Sequence, residues 1–315
     1  MRKMRKNILA REEPLLAKLL RKFKRVPAKL NTPQEIFLLL VDNILKRVFK
    51  FNPQWRQKKM TQRILSSFGY KKVDCYQFKG IRLPLLDYET EHHFFGHVFE
   101  DVYSSYLYFD DCYDEERIGS YDLLLLEGLY GLKNDQVDVR VSAGDIVIDA
   151  GSWIGDFAAY ASVKGATVFA FEPTDPAYSY LKETARLNPN IYPVRRGLGN
   201  VICKANMKNN PDFTLGNSIS EEDGEEIEVT TIDSFVLEQG LTHVDFIKAD
   251  IEGYERYMLE GAQETLRRFA PKLALCTYHF PDDPEVLAAL ITKANPAYRI
   301  VQRRAKLYAS VNASI

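Results

Sequence analysis

Asp145-Ile-Val-Ile-Asp-Ala-Gly-Ser-Trp-Ile-Gly-Asp-Phe157, followed by Thr167-Val-Phe-Ala-Phe-Glu-Pro173, decides how this chain folds. Ile146 to Asp149 have strand character and run into Gly151, and a helical pattern starts at Gly155. A second apolar strand ends in an acid, Glu172, 23 positions after Asp149. This order predicts a βαβ nucleotide-binding unit. The glycine turn admits a ligand to the backbone and to the helix N-terminus, and the acid accepts hydrogen bonds from both hydroxyls of a ribose.

Position 153 narrows the nucleotide. In a dinucleotide fold the second glycine of GxGxxG is bare, so that a pyrophosphate can press on the backbone. Trp153 stands there, and its indole would block a diphosphate, which disfavours an NAD-dependent oxidoreductase. The pattern Asp-x-Gly-x-x-x-Gly with an acid after the second strand suits a nucleoside carrying no phosphate. S-adenosylmethionine is such a ligand. Its expected contacts are Asp149, Gly151, Ser152, Trp153, Gly155 and Asp156 at the turn, with Asp149 or Asp156 meeting the charged amino-acid end. Glu172 and Pro173 take the ribose side, and Leu198 belongs to a backbone-rich adenine wall. A tight βα turn without a ligand is the plainer reading, and turn, acid and spacing together speak against it.

Strands and helices alternate outward from this unit. A helix over 176–188 has Asp175 as its N-cap and Pro176 in its first position. A strand over Ile191–Val194 follows. Residues 200–230 read as irregular apart from a short strand at Ile227–Thr231, and Asp233 begins a short helix. Val244 to Asp250 is a fourth core strand, and Glu252-Gly-Tyr-Glu255 opens a helix that ends before Pro271. Lys272 to Thr277 is a fifth strand that delivers Tyr278 and His279. Asp283-Pro284 caps a further helix, and Tyr298–Arg304 with Leu307–Val311 forms a closing hairpin. The alternation predicts an α/β class with a doubly wound, mainly parallel sheet, the hairpin adding an antiparallel strand at one edge.

Ligands of open α/β sheets bind beyond the C-terminal strand ends, at the switch in strand order. Asp250, Glu252 and His279 gather there. Methyl transfer from a sulfonium needs alignment and removal of the acceptor's proton. His279, with an ordinary pKa of about 6.5, is the candidate base. Asp250 and Glu252 orient it or act as bases themselves. A divalent ion on the same trio is the alternative role, and no metal ligand is assigned. Lys248, two residues before Asp250, is expected to pair with an acid.

Composition sets the remaining limits. With 315 residues, 46% hydrophobic and 27% charged, the chain reads as a soluble globular protein. Cys75, Cys112, Cys203 and Cys276 are scattered without CxxC, as expected of reduced thiols in the cytoplasm. The longest apolar runs, Ile36–Val41 and Val286–Ile291, are six residues each, too short for a membrane span. Residues 1–60 carry a net charge of +13 and the remainder −14. Such an arm suggests an anionic partner, a lipid surface or nucleic acid, or else a solvated helical face docked on the chain's own acidic body. Leu15 to Phe23 recur at helical spacing, and Thr32-Pro-Gln-Glu35 is a capping box that opens a second helix. In the aromatic, acidic stretch 88–116, His93 and His97 with Glu100 share a helical face, where a packed aromatic helix outweighs a metal site. The expected division is a basic helical region and connector, 1–120, capping the substrate, and a nucleotide-binding domain, 121–315.

The motifs resemble those of the FkbM family of S-adenosylmethionine-dependent methyltransferases. The resemblance rests on Asp145 to Asp156, on Val168-Phe-Ala-Phe-Glu-Pro173, on Asp245-Phe-Ile-Lys-Ala-Asp-Ile-Glu-Gly-Tyr-Glu255 with Leu259-Glu-Gly-Ala262, and on Tyr278-His279 with Pro281-Asp-Asp283. It covers roughly residues 120–311, with four motifs in the expected order. It implies a class I methyltransferase fold and O-methylation of a hydroxyl on a sugar, glycan or other small metabolite. It also implies cofactor contacts at Gly151, Gly155 and Glu172, with Asp250 and Glu252 facing the active site. Trp153 departs from the broader class I pattern, which is tolerable if its side chain turns away from the cofactor. An RNA methyltransferase using the basic arm is the competing reading, although no aromatic-interleaved RNA-binding signature is visible there.

Overall fold

The computed structural model describes residues 71–72, 74–78, 80–87, 90, 94, 113–114, 130–208, 218–220, 224–303 and 305–311. The basic arm, the capping box at Thr32 and the His93/His97/Glu100 group lie outside them. The first elements are an antiparallel meander, β1 (Lys71–Lys72), β2 (Tyr76–Phe78) and β3 (Ile81–Leu83). A second small sheet joins β4 (Tyr113–Asp114), β5 (Leu132–Lys133) and β6 (Asp138–Val139).

The βαβ unit folds as its sequence demands: β7 (Ile146–Ala150), α1 (Asp156–Val163), β8 (Thr167–Phe171), α2 (Ala177–Leu187) and β9 (Ile191–Val194). Then come β10 (Gly197–Leu198), β11 (Cys203–Lys208), β12 (Ser218–Ser220), β13 (Glu225–Thr230) and α3 (Ile232–Glu238). The C-terminal half adds β14 (Phe246–Ala249), α4 (Glu255–Glu260), α5 (Gln263–Phe269), β15 (Lys272–Cys276), α6 (Asp283–Ala294), β16 (Arg299–Arg303) and β17 (Lys306–Ser310).

Seven strands form the main sheet in the order β9-β8-β7-β14-β15-β17-β16. β9, β8, β7, β14 and β15 run parallel, and β17 is antiparallel to both of its neighbours. The antiparallel strand therefore lies one place in from the edge, with β16 outside it. Burial explains the order: every residue of β17 is buried, whereas β16 is partly exposed.

Side chains alternate across the sheet. Val147, Val168, Phe246, Ala274 and Tyr308 enter the core under α1 and α2, and Ile148, Ile247, Leu273 and Leu307 enter the core under α3 to α6. The meander joins the first core through Ile81 and Leu83. It is also tied to the end of α2, where Asn188 accepts the N–H of Arg82 at 3.1 Å and donates to its carbonyl at 2.7 Å.

Four local expectations are corrected. The stretch expected to be irregular holds β11, β12 and β13, which join β10 in a four-stranded sheet of order β10-β13-β11-β12. Residues 203–207 of β11 are exposed or half-buried, which leaves no apolar alternation to read. Pro176 caps α2, and Asp175 instead accepts from the Ser179 hydroxyl and pairs with Arg195. Thr231 caps α3 by accepting the N–H of Ser234, while Asp233 takes the N–H groups of Glu264 and Thr265 at the start of α5. The helix expected from Glu252 to Pro271 is two helices, α4 and α5.

Candidate active site

The loops beyond β7 and β14 face each other where the strand order reverses, and the predicted site residues converge there. On the β7 side the chain turns back at Gly151, with φ 72°. A Cβ at this position would lie 1.9 Å from the carbonyl oxygen of Asp250, so only glycine lets the two strand ends meet. Gly155, with φ 82°, starts α1 and presses on Leu181 and Thr184 of α2, where a Cβ would come within 2.8 Å. Gly151 and Ser152 both donate backbone N–H groups to the Phe171 carbonyl. The Ser152 hydroxyl returns to the Asp149 carbonyl at 2.8 Å, so this side chain shapes the turn rather than facing the crevice.

Trp153 resolves the apparent obstruction. It adopts φ 47°, and its indole is 6% exposed, in the core beside Phe94 at 6.2 Å between ring centroids. The backbone N–H of Trp153 donates to Glu172 Oε2 at 3.1 Å. Thr174 gives Oε1 both its N–H, at 3.1 Å, and its hydroxyl, at 2.9 Å. Burial still dominates, and it pushes the Glu172 carboxyl up to about 7 against these donors. Oε2 accepts the Trp153 N–H, which leaves it a lone pair for an incoming hydroxyl.

The two acids proposed for the cofactor's amino-acid end separate. Asp149 is sealed beneath the loop, its oxygens without solvent exposure and Oδ1 3.1 Å from the Lys248 ammonium. Lys248 also donates to the Gly151 carbonyl at 2.6 Å, pinning the turn from below. Burial would strip the Lys248 proton, but Asp149, Asp250 and Asp156 more than offset that and hold it charged. Asp156, in the first turn of α1, is half-buried and is the acid placed to reach a ligand. Burial and the Asp149 charge raise its carboxyl to about 6. Leu198 is buried in the second core, so only its backbone can flank a ligand.

On the β14 and β15 side, Asp250, Glu252 and His279 do come together. Asp250 accepts from the Tyr130 hydroxyl at 2.6 Å and from the Tyr278 hydroxyl at 2.9 Å. Burial alone would raise its carboxyl, yet Lys306 and Lys248 push it down to about 2. The two ammonium groups also lie over the Tyr130 ring, at 4.3 and 5.1 Å from its centroid. Burial and Asp250 hold the Tyr130 phenol well above its ordinary range.

His279 Nε2 faces Glu252 Oε2 at 3.2 Å and Asp250 Oδ1 at 3.9 Å, and Nδ1 faces Glu255 Oε1 at 3.4 Å. Burial lowers the imidazole's pKa, but Glu252, Glu255 and Asp250 override it and raise it to about 10. The three carboxylates thus favour the charged ring, where an isolated imidazole is expected near 6.5. Glu252, with φ 55° and its carboxyl raised by burial, is the more exposed acid of the group. The loop carrying His279 is clamped from behind. Asp283 accepts the Phe280 N–H at 2.8 Å and the Arg256 guanidinium at 2.6 Å.

Sequence reasoning missed Glu255, Lys306 and Tyr130. Glu255 is fully buried and accepts the Ile251 N–H at 2.8 Å. In the sequence Glu255 marks only a helix start, and Lys306 falls between the two strands of the expected hairpin.

Residues 148–300 match the family model of the methyltransferase FkbM domain. The hexuronic acid methyltransferase AglP of Haloferax volcanii is 28% identical over 160 residues, covering 50% of this chain and 66% of that protein. A solved FkbM methyltransferase from Methylobacillus flagellatus is 24% identical, with a TM-score of 0.45 over 71% of this chain and 56% of that one. Aeropyrum pernix fibrillarin, solved with bound S-adenosylmethionine, is 14% identical, with a TM-score of 0.34 over 55% of this chain and 68% of its own. The chain thus spans about two thirds of the curated relative's length. Residues 148–300 of this chain are an FkbM methyltransferase domain.

Proposed function

We propose that this chain transfers a methyl group from S-adenosylmethionine to a hydroxyl of a sugar or other small metabolite. The observation that carries the reading is the meeting of the β7 and β14 ends, which places Glu172, with acceptor capacity on Oε2, on one side and Asp250, Glu252 and His279 on the other. The residues fit the cofactor. Glu172 Oε2 keeps acceptor capacity, the Trp153 indole is turned into the core, and Lys248 is occupied beneath the loop instead of aimed at a phosphate. Gly151 and Trp153 would hold the cofactor through their backbone, Glu172 its ribose, and Asp156 its ammonium end. When bound, the cofactor supplies an electrophilic methyl group on a sulfonium.

The chain's own residues then position the acceptor and take its proton. Glu252 is the base, because burial raises its carboxyl above the ordinary range while its side chain is the most exposed of the three acids. His279 packs beside it, Nε2 lying 3.2 Å from Glu252 Oε2. Asp250 stays ionised and, fixed by Tyr130 and Tyr278, accepts a hydrogen bond from the acceptor. The hexuronic acid activity of the Haloferax volcanii relative supports a sugar acceptor.

Isothermal titration with S-adenosylhomocysteine tests the reading on wild type and on Glu172→Ala. Loss of charge-assisted hydrogen bonds to the ribose should weaken binding by roughly tenfold or more. Equal affinity in both proteins, or no binding by wild type, sinks the proposal.

A further inference from the structure

Asp250, Glu255 and His279 each offer one ligand atom, and these atoms lie within 4.8 Å of one another. They come from the end of β14, the start of α4 and the loop after β15. Glu255 is fully buried, yet its Oε2 has no hydrogen-bond partner. The His279 side chain is 9% exposed, and neither ring nitrogen makes an aligned hydrogen bond, although carboxylate oxygens lie 3.2 and 3.4 Å away. An imidazolium shut in among carboxylates ordinarily aims its N–H groups at them. Here the in-plane directions, along which a nitrogen donates a proton or binds a metal, miss both oxygens.

We propose that Asp250, Glu255 and His279 hold a divalent cation of the manganese or magnesium kind, placed to bind the acceptor's hydroxyl. The inference deepens the methyltransferase reading and rests on it. Two carboxylates and one imidazole suit a hard to borderline dication. Charge balance favours it too, since Asp250, Glu252 and Glu255 bring three negative charges and the dication neutralises more of them than an imidazolium proton does. Tyr130 and Tyr278 would serve as outer partners that fix the Asp250 carboxylate. The cation would acidify the bound hydroxyl. Its proton passes to Glu252, the oxygen lone pair forms the bond to the methyl carbon, and the carbon–sulfur pair leaves with sulfur as S-adenosylhomocysteine.

The test is electron paramagnetic resonance of Mn²⁺ titrated with the full chain, as wild type, Glu255→Gln and His279→Gln. S-adenosylhomocysteine titration on the same samples reports the fold and the cofactor site. Glu255→Gln keeps an acceptor for the Ile251 N–H and removes the charge. Wild type should take up one Mn²⁺, and each variant should bind it at least tenfold more weakly, a loss seen even for outer partners of a metal site. The affinity for S-adenosylhomocysteine should be held within about twofold, far below a tenfold step of 1.4 kcal/mol. An unchanged Mn²⁺ signal with wild type, or variants that bind Mn²⁺ as tightly as wild type, overturns the cation site and leaves the transferase reading intact. Mn²⁺ uptake by a wild type that ignores S-adenosylhomocysteine overturns the transferase reading instead.

Discussion

The two sides of the crevice answer burial in opposite ways. Beyond β7 and β8, Glu172 and Asp156 are raised to about 7 and about 6, because burial outweighs the mostly neutral donors at Glu172 and the Lys248 charge at Asp156. Beyond β14 and β15, burial acts in the same sense on Asp250, yet the carboxyl falls to about 2 under Lys306 and Lys248. One side is built from backbone turns and hydrogen-bond donors, and its carboxyls sit close to neutrality, ready for a ligand to ionise. The other is built from compensating charges that hold one another ionised. A ribose hydroxyl needs the first environment, and an acceptor that must be oriented and deprotonated needs the second.

Gly151 joins the two sides, so altering it should give the largest effect. In Gly151→Ala the new Cβ would fall 1.9 Å from the Asp250 carbonyl oxygen, on a backbone at φ 72°. Strain and displacement together should destabilise the fold by about 3 kcal/mol or more, seen as a lower thermal midpoint. Binding of S-adenosylhomocysteine should vanish with it. A variant that melts and binds like wild type would show that the strand ends need not touch.

Next in size is a matched pair of isosteric changes, Asp250→Asn and Glu172→Gln. Removing the Asp250 charge leaves the Lys248 and Lys306 ammonium groups without one of their carboxylates, and breaking a buried ion pair costs about 3–5 kcal/mol. Glu172 is already near half-protonated at pH 7, so its amide should cost only about 1 kcal/mol of stability. Chemical denaturation of both variants at pH 7 measures the difference. Equal losses would erase the contrast between the two sides.

What was legible in the sequence follows the same division. Gly151, Gly155 and Glu172 announce themselves because a turn with positive φ and an acid-ended strand are local demands. Trp153 was read as an obstruction that had to turn away, and its backbone at φ 47° does turn the indole into the core. The charge cluster is different. Tyr130 reaches Asp250 across 120 positions, and Lys306 arrives from the final hairpin, so no local pattern marks either residue. Glu255 resembled an ordinary acid in a first helical turn. His279 is legible as a site residue, but the carboxylates of Glu252, Glu255 and Asp250 that raise its pKa above 6.5 in the folded chain are not. Strand β11 escaped for a simpler reason, since residues 203–207 are exposed or half-buried and lack an apolar period.

The smallest effect discriminates most sharply between the two environments, because it is a pH dependence that only one side should show. Glu172 rises from an ordinary 4.5 to about 7 in the folded chain. The folded protein therefore binds more protons than the unfolded chain between those values, and the free protein loses stability as pH rises through that window. Hydroxyls of a bound ribose donate to the ionised carboxylate, so cofactor binding must displace the Glu172 proton below about pH 7. Affinity for S-adenosylhomocysteine should then rise with pH, by up to tenfold per unit, and level off above about 7. Titration in two buffers of different ionisation enthalpy should show up to one proton released per ligand at pH 6 and little at pH 8. Glu172→Gln should leave only the smaller dependence that Asp156 adds near pH 6, whereas Asp250→Asn should leave both profiles unchanged, because Asp250 is already ionised throughout this range. A flat wild-type profile would mean that Glu172 is ionised before the ligand arrives, and its backbone and hydroxyl donors would then outweigh its burial.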